Sequence, residues 1–326
     1  MRHRSAVWGS TLLALLTWTF LSLCSPALTA QIPQNRVGPG ARGAVPVDPP
    51  PLELDLELLT VTVTNKDGAV TGLEKNRFQV LEDGVEQKIS YFWVDSRPIS
   101  MGFIFDGSAA MDDLMNEAIR GAGPAFLKNK RTDDEYFVIV FSDNPTMVVA
   151  YTTDPKLMPR VFPKSGEEPL YDAIYTGIDA MKEAANPRRM ILVITAGGDN
   201  GKGIHDDQLV NFAIKQPVQV YSIQMGGATE PANVMDLLAS VTGGQYSLSG
   251  ASSFLVEKFC SDLALALKTQ YLIGYKSTNT AKDGHRRGVK VKVSSSEGSP
   301  KLTVWTKSGY YSQKEPKTKT TAVTGK

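Results

Sequence analysis

The sequence predicts an α/β protein: a doubly wound, mostly parallel sheet, with a small discontinuous β domain built by the segments on either side of it. Three observations predict this. Between residues 98 and 269, strand-length apolar runs alternate with amphipathic helical stretches, the pattern of a sheet covered by helices on both faces. On either side, residues 53–97 and 270–312 carry short stretches that alternate polar and apolar residues with period two, the mark of half-buried strands. Each flank is too short to bury a core alone, and both leave the same α/β region, so the two are expected to pair.

The elements follow in order. Residues 52–58 and 60–64 alternate strictly and are followed by the turn Asn65-Lys66-Asp67-Gly68. Phe78-Gln79-Val80-Leu81 is a second short strand, Glu82-Asp83-Gly84-Val85 a hairpin turn of the Asp-Gly type, and Ile89-Ser90-Tyr91-Phe92-Trp93 a third strand. The run 99–105 is nearly continuous in apolar residues and marks the first buried strand. Leu114, Ala118, Ile119, Ala122, Ala125 and Phe126 then recur at helical spacing, with Pro124 predicting a kink or break. Strands are expected at 136–141 and 146–151, the second an antiparallel neighbour of the first. A helix at 170–185, a buried strand at 190–195, a helix at 206–215, a strand at 218–225, a helix at 232–241, a short strand at 245–248 and a long helix at 252–267 complete the region. Strands then return at 270–275, 288–293, 302–305 and 309–311.

Residues 1–30 read as an export signal: Arg2 and Arg4, an apolar stretch at 6–23, then the small residues Ser25, Ala27 and Ala30. Cleavage after Ala27 fits the small-x-small rule best, and an uncleaved anchor is the alternative. The apolar stretch is shorter than the ~20 residues a spanning helix needs, and no other segment is suited to cross a membrane. Prolines 33, 39, 46, 49 and 50 make residues 31–52 an extended linker, and the Lys- and Thr-rich residues 313–326 read as a disordered tail. The expected location is therefore outside the cytoplasm: periplasmic, cell-surface or secreted. A net charge of +1 makes no case for nucleic acid or an anionic membrane. Of the two cysteines, Cys24 falls in the signal, so Cys260 has no partner for an internal disulfide. It reads as a small buried hydrophobe.

Gly102-Phe103-Ile104-Phe105-Asp106-Gly107-Ser108, a buried strand ending in Asp-x-Ser, resembles the start of a von Willebrand factor type A (VWA) domain. Phe141-Ser142, Leu170-Tyr171-Asp172-Ala173 and Gly197-Gly198-Asp199-Asn200 follow in the order of that Rossmann-like family. The flanks, with Val70-Thr71-Gly72-Leu73 and Phe78 to Gly84 before the domain and Tyr271 to Tyr275 and Gly309-Tyr310-Tyr311 after it, resemble the bacterial VWFA-related proteins common in acidobacteria. The resemblance covers about residues 53–312 and implies a protein-binding or adhesion module.

It also implies a metal-ion-dependent adhesion site, in which Mg²⁺ or another divalent cation takes about six oxygens. The family supplies them from an Asp-x-Ser-x-Ser loop, a Thr and a further Asp. Here Asp106 and Ser108 match the first loop, but Ala110 replaces the second Ser, Glu168 stands at the Thr position and Ala196 at the Asp position. Ala110 and Ala196 carry no ligating side chain. Two readings stay open: an ion held by Asp106, Ser108 and Glu168 with help from Asp199, Asp112 or water, or a degenerate site in which Asp106 and Ser108 satisfy backbone amides at a strand end. In the second, a partner is met by the same face, through Asp106, Ser108, Glu168 and Asp199, without metal.

Other motifs lead nowhere. The Gly-rich stretch 196–203 fails the G-x-x-x-x-G-K-[ST] phosphate-loop spacing at both ends. His205 has no second His or Cys at zinc-ligand spacing, and G-x-S-x-G is absent. Asp133-Asp134-Glu135 reads as a solvated acidic loop, and Trp305 and Tyr310-Tyr311 as packing residues of the β domain. With so few histidines and thiols, the sequence predicts no enzyme. The expectation is a protein-interaction module whose partner is unidentified; the alternative is a metal-independent scaffold of the cell envelope in which the β domain does the associating.

Overall fold

A computed structural model describes residues 56–111, 114–154, 168–226, 231–295, 298 and 300–314. The expected signal (1–30), the linker (31–52) and the tail beyond residue 314 lie outside them, as does Asp112. The first flank folds as β1 (Glu57–Asn65), β2 (Gly68–Ala69), β3 (Phe78–Glu82), β4 (Val85–Gln87) and β5 (Ile89–Asp95). The α/β region then runs through β6 (Ile99–Asp106), α1 (Met115–Asn129), β7 (Glu135–Phe141), β8 (Pro145–Thr152) and α2 (Leu170–Ala180). It continues with β9 (Arg188–Thr195), α3 (Asp206–Ala213), β10 (Val218–Gln224), α4 (Pro231–Thr242), β11 (Tyr246–Leu248) and α5 (Ser253–Ala266). The second flank supplies β12 (Gln270–Tyr275), β13 (Arg286–Val293), β14 (Thr303–Trp305) and β15 (Gly309–Tyr311).

The central sheet has the order β11-β10-β9-β6-β7-β8, parallel throughout except for β8, which runs antiparallel to β7 as expected. Successive residues of a strand face opposite ways, and the two apolar layers divide on that rule. Phe103 and Phe105 of β6 face α1 and α5, where they meet Ala118, Ala122, Val256, Cys260 and Leu263. Ile104 faces the other way, toward Leu170, Ile174 and Ile178 of α2. Burying each such large side chain stabilises the fold by roughly 1.5–3 kcal/mol. The helices α1 and α5 pack closely enough that a Cβ on Gly121 would stand 2.7 Å from Val256 Cγ1 and 2.9 Å from Glu257 N, so glycine is required there.

The flanks pair across some 200 residues of chain, as the fold class requires. β12 lies antiparallel between β1 and β5 in one sheet, with β14 on the far side of β1. β13 lies antiparallel to β3 in a second sheet of order β15-β13-β3-β4. Leu59, Val61, Val63, Tyr271 and Ile273 of the first sheet share a core with Phe78, Val80, Val289 and Val291 of the second. Within it the buried Glu82 carboxylate accepts hydrogen bonds from Tyr275 Oη (2.8 Å), Tyr310 Oη (2.9 Å) and Ser277 Oγ (2.5 Å). Trp305 donates to Thr64 Oγ1 at 3.0 Å, so Trp305 and Tyr310 are the packing residues expected, whereas Tyr311 is exposed and reaches Asn211 Oδ1 at 3.3 Å.

The β domain and the central sheet meet at Arg188. Its guanidinium donates to the Arg97 carbonyl (2.8 Å), to Gln270 Oε1 (2.7 Å) and to the Leu267 carbonyl. Asp95 receives a two-pronged hydrogen bond from Arg97 (2.9 and 2.7 Å) and lies 3.8 Å from Arg188 Nε.

Three details differ from expectation. Helix α1 continues through Pro124, which stands on the exposed side, where water can serve the carbonyl that the missing N–H leaves free. The helix expected at 170–185 ends at Ala180 and tightens into a 3₁₀ turn, Met181–Glu183. Of Asp133-Asp134-Glu135, only Asp133 is the exposed acid expected. Asp134 is buried and accepts from Ile99 N (2.9 Å) and Arg131 N (2.7 Å), while Glu135 accepts from Ser100 Oγ (2.6 Å) and Ala185 N (2.7 Å). Backbone donors at strand entries have claimed these carboxylates. No helix among the described residues is long and apolar enough to cross a membrane.

Candidate partner-binding face at the strand ends

The sheet register sets this face. Asp106 pairs with Phe141, Phe105 with Ile194, and Gln224 with both Thr195 and Leu248, so the ends of β6, β7, β9, β10 and β11 lie side by side. In open α/β sheets, ligands meet these carboxyl ends.

Asp106 is fully buried there, and its carboxylate is surrounded by protein donors. Oδ1 accepts from Ser108 N at 2.9 Å; Oδ2 accepts from Thr195 Oγ1 at 2.9 Å and from Ala196 N at 3.1 Å. Thr195 Oγ1 in turn accepts from Gly197 N at 2.8 Å. The carboxylate thus stitches the β6 loop to the β9 loop, as a buried polar group must find partners. Thr195, read in the sequence only as the last residue of a buried strand, is the clamp that was missed. A hydroxyl closing an apolar run beside a glycine-rich loop was the available signal.

Glu168 precedes α2 and lies against the second loop. A Cβ on Gly198 would fall 1.4 Å from Glu168 Oε2, so only glycine leaves the carboxylate its place. Its backbone carbonyl accepts from Asn200 N at 2.8 Å, which ties the two loops together. Burial, then the negative charges of Asp106 and Asp199, push the Glu168 carboxyl above its ordinary range, with Ser108 pulling the other way. The Ser108 hydroxyl is buried and, although close enough to favour the charged carboxylate, makes no hydrogen bond of acceptable geometry. Asp199 accepts from Tyr171 N (3.0 Å) and Gly201 N (2.9 Å), joining the first turn of α2 to the loop after β9.

The structure therefore brings Asp106, Ser108, Glu168 and Asp199 to one face, with Ala196 beside them. A hard divalent ion wants about six oxygens. The Asp106 and Asp199 oxygens already accept from the protein and have fewer lone pairs to offer, which makes the Ser108 hydroxyl and the Glu168 carboxylate the least engaged oxygens of the set. Among the described residues no three His, Cys, Asp or Glu side chains converge as ligands.

The same face carries apolar side chains in the open. Leu248, at the end of β11, is 48% exposed; Phe254 and Leu255, in the first turn of α5, are 69% and 44% exposed. Nothing in the sequence marked them. Cys260, on the buried side of the same helix, has its thiol pushed far up by burial.

No family model matches the chain, and no curated protein matches it in sequence. Solved structures similar to it include proximal thread matrix protein 1 from the mussel byssus, at 16% identity and TM-score 0.46 over 57% of this chain and 51% of that one. A von Willebrand factor type A protein from Catenulispora acidiphila matches at 10% identity and TM-score 0.46, over 79% of this chain and 74% of that one. The conserved hypothetical protein BatB from Bacteroides thetaiotaomicron matches at 15% identity and TM-score 0.42, over 52% of this chain and all of that one. This chain spans about half the length of the mussel protein. At such identities and scores the likenesses decide neither fold nor function; the doubly wound α/β fold stands on the sheet order and layers above.

Proposed function

We propose that the chain is an exported, non-catalytic VWA-type protein that binds another protein through its strand-end face, without a resident metal ion. The observation that carries this is the exposure of Leu248, Phe254 and Leu255 at the same carboxyl end of the sheet as Asp106, on its β11 edge. Large apolar side chains left exposed at the end of a sheet where ligands meet it are what a protein interface looks like before its partner arrives. The metal-free part of the reading is supported by the donors that already occupy Asp106, and by alanine at positions 110 and 196. The non-catalytic part is supported by the burial of Cys260, which keeps its thiol from a substrate. Export rests on the charged, apolar and small-residue order of residues 1–30.

The test is site-directed photo-crosslinking in intact cells, with the probe in place of Phe254 or, on the β domain, in place of the exposed Val85. A discrete crosslinked species from position 254, lost when Leu248 and Leu255 are both changed to Ser, is the expected result. Crosslinks from position 85 alone would move association to the β domain, the scaffold alternative. Crosslinks from neither would overturn the reading.

A further inference from the structure

At the opposite end of the sheet, a second feature is unrelated to the strand-end face. Between the last turns of α1 and α5 lies a cavity of about 50 Å³, several times the ~10–15 Å³ a single water needs. Its walls are Met101, Phe103, Phe126, Tyr136, Ala264 and Leu267. Apolar walls of this kind leave little for water to bond to.

Five cations line it as well: Lys130, Arg131, Lys268, Arg97 and Arg188. The two acids in the lining, Asp134 and Glu135, keep their charge while accepting from backbone amides and Ser100, and Asp95 is paired with Arg97. Lys130 reaches the Arg131 carbonyl at 3.0 Å and Lys268 reaches Asn129 Oδ1 at 3.3 Å, as cations do beside helix C-termini. That accounts for the two lysines. It does not account for Arg131, which lines the slot and whose guanidinium makes no hydrogen bond or ion pair among the described residues. Arg131 and Arg97 also lie near enough to oppose the charge on Arg188. Positive charge is therefore in excess here, and a small anion would relieve it.

We propose that this slot is a second binding site, for a small amphipathic carboxylate whose aliphatic body, roughly three carbons long, fills the cavity and whose carboxylate meets Arg131. A guanidinium offers a carboxylate two parallel hydrogen bonds, and Lys130 and Lys268 add charge at the side. The cavity is well below the size of sites that enclose a whole drug-sized ligand, so it selects short chains over long or branched ones.

The test is calorimetric titration of the purified full-length chain with butanoate, with 1-butanol as the neutral control. Butanoate is expected to bind saturably, at least about tenfold more tightly than butanol, and more weakly as salt is added. Arg131→Gln, at a partly exposed position, should reduce butanoate to the level of butanol, and Ala264→Phe, which fills the slot, should abolish both. Circular dichroism confirms that each variant is folded; should Ala264→Phe not fold, Arg131→Gln decides alone. No saturable binding, equal binding of acid and alcohol, or butanoate binding unchanged by Arg131→Gln would each overturn the proposal.

Discussion

Removing the Asp106 carboxylate separates a structural role from a metal-binding one. Asp106→Ala withdraws the acceptor from three donors at once: Ser108 N, Thr195 Oγ1 and Ala196 N. Each is a hydrogen bond to a charged group, worth about 1.5–3 kcal/mol. The losses will not add in full. Ala196 is partly exposed and can turn to water, and the gap left by the carboxylate can admit one. Ser108 and Thr195 are buried, so at least two donors stay poorly served, at about 1–3 kcal/mol each. The expected cost is about 3 kcal/mol. For roughly 260 folded residues that is about 6–12 °C in Tm. Urea unfolding followed by circular dichroism, with and without millimolar Mg²⁺, measures both quantities. An ion present at a hundred times its Kd would stabilise the native chain by about 2.7 kcal/mol; the expected effect of Mg²⁺ is none, in either protein. A variant that loses under ~1 kcal/mol, or wild type that gains ~2 kcal/mol from Mg²⁺ and loses that gain with Asp106, would refute the reasoning.

Two further outcomes follow from the charges. Burial, Asp106 and Asp199 raise the Glu168 carboxyl above its ordinary 4.5, so the unfolded chain ionises first and stability falls as pH rises from 4.5 through the folded value. Glu168→Gln should therefore raise the urea midpoint at pH 7, with the gain vanishing below pH 4.5; a variant less stable at pH 7 would sink this. Asp95 runs the other way: burial alone would raise its carboxyl, but the Arg97 hydrogen bonds and the charges of Arg188 and Arg97 hold it below its ordinary 3.8. Its contribution is complete above pH 3.8 and is lost as pH falls through the folded value. Asp95→Asn should cost about 3 kcal/mol at neutral pH, the low end for a broken buried pair because Arg188 keeps three other acceptors. A loss below ~0.5 kcal/mol would show that those acceptors carry Arg188 alone.

The central sheet was legible because strands buried on both faces must be apolar at every position, and runs such as 99–105 and 190–195 leave helix-period patterns no room. That the flanks pair was legible from their shortness. Their register was not, because it links Val61 to Tyr271 and Val80 to Val291, and no local pattern records a partner two hundred residues away. At the site, Asp106, Ser108, Glu168 and Asp199 could be named in advance, but not what each carboxylate already holds. Helix α5 shows a different limit. Phe254, Leu255 and Leu265 are exposed while Val256, Cys260 and Leu263 are buried, and a helix apolar nearly all round gives periodicity nothing to choose between.

The insertion of the α/β region between β5 and β12 has a mechanical consequence. Its entry and exit stand together, since Arg188 bonds the carbonyls of both Arg97 and Leu267. A pull applied between residues 56 and 314 reaches β1 and the β14–β15 end first, and β1 is bonded directly to β14 and β12. Tension then falls on the antiparallel strand pairs of the β domain, which are pulled from their shared ends, while the inserted region hangs from two adjacent attachment points, off the load path. Its strand-end face would keep its shape under a stretching force that strains its support.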